Sequence, residues 1–260
     1  MNDISVIIVT FNSGETIKKC LSSVLENSPG TEIIVVDNNS SDNTVEIIKS
    51  FKEKVVLVEA GDNLGFSKSN NLGASFAKGN FLVFLNPDTE ILERTSLERL
   101  RNVLVENSIF GLIGPKLVYP NGNVQKSVRN LPTVFLAFKE YILGEKGCYG
   151  FYLPEGEGLS EVESLVGACM VIRKETFDKA GKFNEKYFLY YEDLELCKSV
   201  RRLGLKVGFY SKVRIKHFEG ISGKGQKTNN LLVQSAKRYH NPLEYFLIQI
   251  IIRIGRKIHG

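Results

Sequence analysis

In this 260-residue sequence, the stretch Asn86-Pro-Asp88, with Glu90 two positions further on, has residue types and a spacing that could form a reactive site. It directly follows the apolar run Phe81–Leu85, so it begins where a buried strand would end. Carboxylate oxygens on a short turn can hold a divalent cation, and such a cation can bridge a diphosphate. The alternative is a plain turn in which Asp88 caps the backbone.

Two further candidates are an acidic pair and a histidine. Glu192 and Asp193 follow the aromatic stretch Phe188–Tyr191, where a carboxylate could serve as a general base. The same pair could instead cap a helix, because the helix dipole favours acids at its first turn. His217 ends a strand-like stretch just before Phe-Glu-Gly. A lone histidine is more often structural than a ligand, but a position at a strand end beside a glycine turn makes it a better functional candidate than average.

The elements that must position these residues alternate along the first 110 residues, which predicts an α/β fold with a mainly parallel sheet. The predicted strands are Ser5–Thr10, Glu32–Asp37, Val55–Glu59 and Phe81–Leu85. The predicted helices are Glu15–Glu26, Thr44–Phe51 (capped by Ser41 or Asp42), Phe66–Lys78 (stopped by Gly79), and one that follows a Thr95-Ser-Leu-Glu98 capping box.

Polar residues follow three of these strands, at Thr10–Asn12, Asp37–Asp42 and Asn86–Asp88. Ligands of parallel α/β sheets bind beyond the carboxyl ends of the strands. These three strand ends are therefore the predicted edge of a binding site.

The second half is less regular. Residues 119–163 are rich in Pro, Gly and aromatics, which predicts long loops with one helix at Thr133–Leu143. Beyond them we predict a strand at Ser164–Arg173, helices at Lys174–Ala180 and Asp193–Leu203 (stopped by Gly204), and short strands at Lys206–Tyr210 and Val213–His217.

Composition and missing motifs narrow the function classes. Four scattered cysteines without a C-x-x-C pair argue against a zinc knuckle or a disulfide scaffold. No G-x-G-x-x-G, P-loop or G-x-S-x-G motif is present, which disfavours a dehydrogenase, a P-loop kinase and an α/β-hydrolase. We expect no signal peptide and no membrane-spanning segment, and hence a cytoplasmic protein.

Seven motifs in order make this chain resemble a family 2 glycosyltransferase of the GT-A fold, within the bacterial rhamnosyltransferase-like enzymes that build cell-surface polysaccharides. The motifs are Val6–Asn12, Val36–Asp42, Asn63–Gly73, Leu85–Asp88, Gly167–Arg173, Gly181–Asp193 and His217–Ser222. The resemblance implies a Rossmann-like, mainly parallel sheet with flanking helices, in a single domain with a C-terminal helical extension. It would comprise a nucleotide-sugar-binding half (1–110), an acceptor and catalytic half (111–222), and a basic tail (223–260).

The resemblance also implies roles. Residues that would line the nucleotide and donor sugar are Thr10, Phe11, Asn12, Asp37, Asn38, Asn63, Gly65, Asn70 and Asn86. Asp88 would ligate Mg²⁺ or Mn²⁺, with His217 and Glu90 as further ligands. Asn86 departs from the family's D-x-D motif, which has an acid in its place. Asp193 would be the catalytic base, with Glu192 as second choice.

The implied reaction is an inverting transfer of rhamnose or a hexose from a nucleoside-diphosphate sugar to a hydroxyl of a surface polysaccharide or lipid-linked glycan. The donor would be dTDP-rhamnose or a UDP-sugar. Two alternatives stay open: a sugar-phosphate nucleotidyltransferase, although the loop after the first strand is poor in glycine, and a non-catalytic nucleotide- or carbohydrate-binding module.

The C-terminal quarter differs from the rest in charge. The chain has a net charge of +5. Residues 201–260 sum to +11, and residues 1–200 sum to −6. Leu243–Ile258 sets Leu243, Leu247, Ile250, Ile254 and Ile258 on one helical stripe, with Gln249, Arg253, Arg256 and Lys257 on the opposite side. This pattern predicts a basic amphipathic helix suited to lying in an interface. The family resemblance implies that this interface is the inner face of the membrane. The alternatives are docking on the domain or on a second subunit in a homodimer. We expect no nucleic-acid partner, because the tail's aromatics are not interleaved with its charges.

Overall fold

The computed structural model describes residues 3–218 and 226–259. The end of the last motif, Glu219–Ser222, and the predicted boundary between residues 222 and 223 lie outside the described residues.

Twelve strands and nine α-helices are described in these two ranges. The strands are β1 (Ile4–Thr10), β2 (Glu32–Asp37), β3 (Val56–Glu59), β4 (Phe81–Leu85), β5 (Thr89–Ile91), β6 (Phe110–Val118), β7 (Val128–Arg129), β8 (Phe151–Tyr152), β9 (Leu159–Val162), β10 (Ser164–Leu165), β11 (Cys169–Arg173) and β12 (Lys206–His217). The helices are α1 (Ile17–Asn27), α2 (Thr44–Lys49), α3 (Phe66–Phe76), α4 (Ser96–Glu106), α5 (Val134–Tyr141), α6 (Lys174–Lys179), α7 (Glu192–Arg202), α8 (Gln226–Tyr239) and α9 (Pro242–His259).

The central sheet has the strand order β3-β2-β1-β4-β11-β6-β12-β5, and β9 also pairs with β12. β1 to β4 are parallel to one another, as the mostly buried apolar runs of β1, β2 and β4 predict, whereas the edge strand β3 is partly exposed. β11 is antiparallel to both β4 and β6, and β12 is parallel to β6. The carboxyl ends of β1, β2, β4 and β12 therefore share one edge of the sheet, where the first residue of β11 also lies.

Helices cover both faces of this sheet. Alternate side chains of β1 show the division, because Val6 and Ile8 pack on the face of α1, α2 and α4, whereas Ile7 packs on the face of α3, α6 and α7. The three-layer α/β architecture that the sequence predicts is thereby confirmed.

The predicted strand over Ser164–Arg173 is wrong in one respect: a turn at residues 166–168 splits it into β10 and β11. Conversely, the two short strands predicted at Lys206–Tyr210 and Val213–His217 form the single strand β12. A shift in the pairing of β12 with β6 between Tyr210 and Arg214 explains why the alternating pattern breaks there.

Two predicted helix ends are also corrected. Thr95 precedes α4 in a left-handed conformation with φ of 61° and makes no side-chain cap, so the predicted capping box does not form. Glu98 accepts a hydrogen bond from Ser28 instead. α3 ends at Phe76, and Gly79 is needed for a different reason: a Cβ there would lie 2.8 Å from the amide nitrogen of Ser5.

The C-terminal helices α8 and α9 pack on the start of α7 and on α5, respectively. Ala236 of α8 contacts Tyr187, Tyr191 and Leu194 near the start of α7. Ile248 of α9 packs with Ala137 of α5 and with Tyr149.

Candidate active site

Asp88 and His217 form the centre of the candidate site. Asp88 follows β4 and His217 ends β12, and the neighbouring residue Thr89 pairs with His217 in the β5–β12 ladder. His217 Nε2 lies 3.5 Å from Asp88 Oδ1, and both side chains are buried. Gln125 orients the imidazole, since its Oε1 lies 2.9 Å from His217 Nδ1.

A cavity of about 200 Å³ opens beside this pair. It is lined by Glu15, Thr16, Lys19, Asp88, Thr89 and Phe218. The Lys19 ammonium lies 5.7 Å from the centre of the Phe218 ring, so a cation flanks the cavity that Asp88 faces.

A divalent cation fits this pair of side chains. Asp88 Oδ1 is buried and has no hydrogen-bond partner in the described part of the chain, which is costly unless a ligand satisfies it. The carboxylate oxygen is a suitable ligand for Mg²⁺ or Mn²⁺, whose remaining ligands commonly come from phosphates and water, and the neighbouring imidazole nitrogen favours Mn²⁺ of the two.

The other two predicted residues of this turn are placed differently. Glu90 forms an ion pair with Lys216, with Nζ and Oε2 2.7 Å apart, so its carboxylate already has a partner. The Asn86 backbone N–H donates a hydrogen bond to the Ala168 carbonyl at 2.9 Å, which links the Asn-Pro-Asp turn to the turn before β11. Within the two described ranges, no three His, Cys, Asp or Glu side chains are grouped as a metal site.

Asp193 is held at the start of α7 by two backbone amides. Its Oδ2 accepts from Gly167 at 3.1 Å and its Oδ1 accepts from Leu194 at 2.8 Å. Residues 166–168 therefore bind Asp193 through Gly167 and the Asn86 turn through Ala168. One short turn thus connects the two predicted catalytic regions.

The two adjacent acids differ in environment. Glu192 is 5% exposed and its Oε2 has no hydrogen-bond partner among the described residues. Burial raises the pKa of Glu192 well above its usual range, and the neighbouring Asp193 charge adds to this. Burial also raises the pKa of Asp193, but the amides of Leu194 and Gly167 and the Arg129 guanidinium oppose the shift. Asp193 is therefore the better candidate for a general base, because it is the more readily ionised of the two acids.

Asp37 and Asn38, at the end of β2, both order the loops around them. Asp37 accepts hydrogen bonds from Thr10 Oγ1 at 2.9 Å and from the Ser40 amide at 2.9 Å. Asn38 Oδ1 accepts from the Leu64 amide and from Ser69. Their predicted contacts with a nucleotide stay predictions, while the structure shows them fixing the loops that follow β2 and β3.

The remaining predicted nucleotide residues lie after β1, after β3 and on α3. Phe11 is 45% exposed, and Asn12 is exposed with φ of 50° and accepts a hydrogen bond from the Ser41 amide. The Asn63 side-chain oxygen accepts a hydrogen bond from the Gly65 backbone amide. Asn70 is buried, and its side-chain Nδ2 donates a hydrogen bond to the Phe66 carbonyl. Gly65 has φ of 79°, and a Cβ there would lie 2.6 Å from Phe188, so no other residue fits without displacement.

Four residues of the site escape the sequence analysis: Gly167, Gln125, Lys19 and Arg129. Gly167 belongs to one of the seven motifs, but it binds Asp193 through its backbone amide, which every residue except proline has. Its residue type therefore does not predict this contact. Gln125 and Arg129 lie in the loop-rich stretch 119–163, where no periodic pattern assigns a direction to a side chain. Lys19 precedes Cys20 on α1 and reads as one more exposed helical lysine.

Comparison with known proteins identifies the family and several relatives of this chain. The profile of the family described as "Glycosyl transferase family 2" matches residues 5–181. A low-salt glycan biosynthesis hexosyltransferase, Agl10 of Haloferax volcanii, is 27% identical over 80% of this chain and 64% of its own length. An N-acetylglucosaminyl-diphospho-decaprenol L-rhamnosyltransferase of Mycobacterium tuberculosis is 24% identical over 90% of this chain and 82% of its own length. The chain spans less than two thirds of the Haloferax relative, and only 17% of the O-antigen biosynthesis protein RfbC of Myxococcus xanthus.

Solved structures share the fold. Residues 1–349 of Staphylococcus aureus TarS in complex with UDP align with 100% of this chain and 72% of that chain, with a TM-score of 0.60 and 19% identity. GalNAc-T7 with UDP, GalNAc and Mn²⁺ gives a TM-score of 0.67 at 16% identity, over 99% of this chain and 56% of that chain. The predicted GT-A-type architecture is thereby confirmed. No described helix is long and apolar enough to cross a membrane.

Proposed function

We propose, because this chain belongs to glycosyl transferase family 2, that it transfers a sugar from a nucleoside-diphosphate donor to an acceptor hydroxyl with inversion at the anomeric carbon. The acceptor is a cell-surface polysaccharide or a lipid-linked glycan, and the donor is dTDP-rhamnose or a UDP-sugar. The rhamnosyltransferase and hexosyltransferase relatives support both parts.

The observation that carries the proposal is the unpartnered Asp88 oxygen beside His217 at the strand edge. In a family 2 glycosyltransferase, this is where the donor diphosphate is expected. Asp88 and His217 would hold a divalent cation there, and that cation, when bound, would offset negative charge on the diphosphate leaving group.

Asp193 carries the proton chemistry in this proposal. Its carboxylate accepts the proton of the acceptor hydroxyl as the hydroxyl oxygen forms a bond to C1 of the sugar. The bond between C1 and the diphosphate oxygen breaks on the opposite face, so the configuration at C1 inverts. The Gly167 and Leu194 amides orient the carboxylate for this step and keep it ionised.

The proposal is tested by thermal shift with dTDP and UDP, each with and without Mn²⁺ or Mg²⁺, on the wild type, Asp88→Asn and Glu90→Gln. A nucleotide at 100 times its Kd stabilises the folded state by about 2.7 kcal/mol. We expect a metal-dependent shift in the wild type and its loss in Asp88→Asn. Glu90→Gln should keep the shift, because Glu90 is already paired with Lys216.

Equal shifts in the wild type and Asp88→Asn would overturn the cation site. Binding of nucleotide without any sugar transfer would favour the non-catalytic module. Transfer assays with both donors then decide between rhamnose and a hexose, and the anomeric configuration of the product tests inversion.

We also propose that α9 attaches the protein to the inner face of the membrane. The predicted stripe is exposed, with Leu243 at 66%, Ile254 at 47% and Ile258 at 57%. A separate face of the same helix, including Ile248 and Gly255, is buried against α5. Docking on the domain and an exposed apolar stripe therefore coexist in one helix. The exposed basic residues Arg253, Arg256 and Lys257 of the same helix favour anionic lipid as the occupant of the stripe over a second copy of this basic tail.

A further inference from the structure

Arg129 stands out as a cation without a carboxylate partner. Its guanidinium carbon lies 4.9 Å from the ring centre of Tyr149, 5.6 Å from that of Phe151 and 6.0 Å from that of Tyr191. Its Nε donates to the Tyr149 carbonyl at 3.0 Å. Over residues 3–218 and 226–259, no carboxylate oxygen lies within 4.0 Å of its guanidinium nitrogens.

This environment is unusual for an arginine. The side chain is half-buried among three aromatic rings, and an arginine stays charged under all physiological conditions. Asp193 offsets this charge only from beyond ion-pair distance. An anionic ligand in direct contact would offset the cost of its partial desolvation further. The Tyr149 and Tyr191 hydroxyls interact with the guanidinium but are neutral, so they leave its charge uncompensated. The planar fork of a guanidinium matches phosphate oxygens.

The position of Arg129 identifies the side of the site that it serves. Tyr191 immediately precedes Glu192 and Asp193, and the Arg129 charge lowers the pKa of Asp193. Tyr149 also packs with Ala137 and Ile248 in the contact between α5 and α9. Arg129 therefore lies between the proposed base and the helix pair that carries the exposed apolar stripe. The Asp88 turn, where the donor diphosphate is expected, is a separate region.

We propose that Arg129, framed by Tyr149, Phe151 and Tyr191, is a binding site for a phosphate or diphosphate group of the acceptor. The inference rests on the proposed function, because it assigns this anion to the acceptor of that transfer. The phosphate would be held close to Asp193, with the acceptor's sugar hydroxyl at the carboxylate. A lipid chain on the phosphate would lead towards α5 and α9.

The test measures binding by isothermal titration calorimetry, with no nucleotide sugar present. The parent protein is Asp88→Asn in EDTA, which keeps the probes off the candidate cation site. The probes are farnesyl diphosphate, inorganic diphosphate, farnesol and glucuronic acid. In this background we compare Arg129→Gln, Arg129→Lys and the control Arg201→Gln. Arg201 is also partly buried and donates to a backbone carbonyl, that of Val162, but it is paired with Glu161.

We expect farnesyl diphosphate to bind the parent, and Arg129→Gln to weaken it at least tenfold, as for the loss of a charged hydrogen-bond donor. Arg201→Gln should leave binding unchanged, and farnesol should show no dependence on Arg129. The same Arg129 dependence with inorganic diphosphate would show that the phosphate suffices. Dependence confined to farnesyl diphosphate would show that a lipid-borne phosphate is required.

Equal binding by the parent and Arg129→Gln would overturn the site, and glucuronic acid binding as tightly as the diphosphates would overturn the phosphate assignment. If Arg129→Gln does not fold, Arg129→Lys decides: it keeps the charge but loses the fork, so binding weaker than the parent supports the site and unchanged binding refutes it. Because no donor is present, failure of sugar transfer leaves this result intact. Failure here likewise leaves the thermal-shift result intact.

Discussion

At the residue scale, the contrast between Asp193 and Glu192 decides how the proposed reaction starts. Asp193 has its two oxygens on backbone amides, whereas Glu192 is buried with an unpartnered oxygen. Asp193→Asn should lower kcat by about 10²- to 10⁴-fold, the usual contribution of a general base, with nucleotide affinity unchanged. Glu192→Gln should lower kcat less than tenfold. The raised pKa of Glu192 favours its protonated form, and a glutamine side chain resembles that neutral form.

Steady-state kinetics and nucleotide titrations measure this difference. A larger loss of kcat in Glu192→Gln than in Asp193→Asn would reverse the assignment of the base. Because burial raises the pKa of Asp193, the acidic limb of the kcat profile should lie above the ordinary aspartate pKa of about 3.9. Activity should rise with pH through that limb, as the base ionises.

Glu192 also makes a prediction about stability. Its pKa is raised in the folded state, so the stability that its protonated form contributes is complete below the unfolded pKa of about 4.3 and is lost as pH rises through the folded pKa. Glu192→Gln cannot lose a proton. The free energy of unfolding of the wild type should therefore fall relative to that of Glu192→Gln as pH rises from 5 to 8. Urea denaturation along this pH series measures the difference, and a constant difference would contradict the prediction.

At the element scale, the docking of α9 on α5 depends on Gly255. A Cβ at this position would lie 2.2 Å from the Tyr141 carbonyl oxygen. Gly255→Ala should therefore lower the free energy of unfolding by about 1–3 kcal/mol through overpacking, although alanine is the better helix former. Ile254, the residue before Gly255, is exposed, so Ile254→Ala is the control. Its free energy of unfolding should stay within about 0.5 kcal/mol of that of the wild type. Equal denaturation midpoints for the three proteins would argue against this packing.

The accuracy of sequence-based prediction also varies by element. β2 and β4 are predicted to the residue, because each is an unbroken apolar run bounded by polar or glycine-containing segments. β6 is not predicted, since Gly111, Gly114 and Pro115 interrupt its apolar pattern. The split between β10 and β11 is hidden for the opposite reason: the turn Val166-Gly-Ala168 is itself apolar. The sequence suggests Asp88 and His217 as candidate ligands, but only the pairing of β5 with β12 shows that they meet.

At the scale of the whole molecule, one surface of the C-terminal helices should decide where the protein resides. Burying an isoleucine contributes about 1.5–3 kcal/mol, so the double variant Ile250→Glu, Ile254→Glu should bind anionic vesicles at least about 100-fold more weakly than the wild type. Val105→Glu, Ile109→Glu is a matched control on the opposite half of the chain, where both residues are similarly exposed. Co-sedimentation with phosphatidylglycerol vesicles measures the difference.

Unchanged vesicle binding in the Ile250→Glu, Ile254→Glu variant would refute the membrane contact. If the same variant changed only the oligomeric state in sedimentation, the stripe would belong to a subunit interface.

The pairing of β12 with β5 has a consequence for the order in which the protein acquires its parts during synthesis. Asp88 follows the fourth strand of the sheet, whereas His217 closes the last one, so the two meet only after the chain through residue 217 has left the ribosome. A nascent chain can pair β1 to β4 much earlier, because these strands are consecutive in the sequence. The growing polypeptide therefore passes through a stage in which β1 to β4 are all synthesised but Asp88 and His217 have not met. The proposed cation site can form only after residue 217 has emerged from the ribosome.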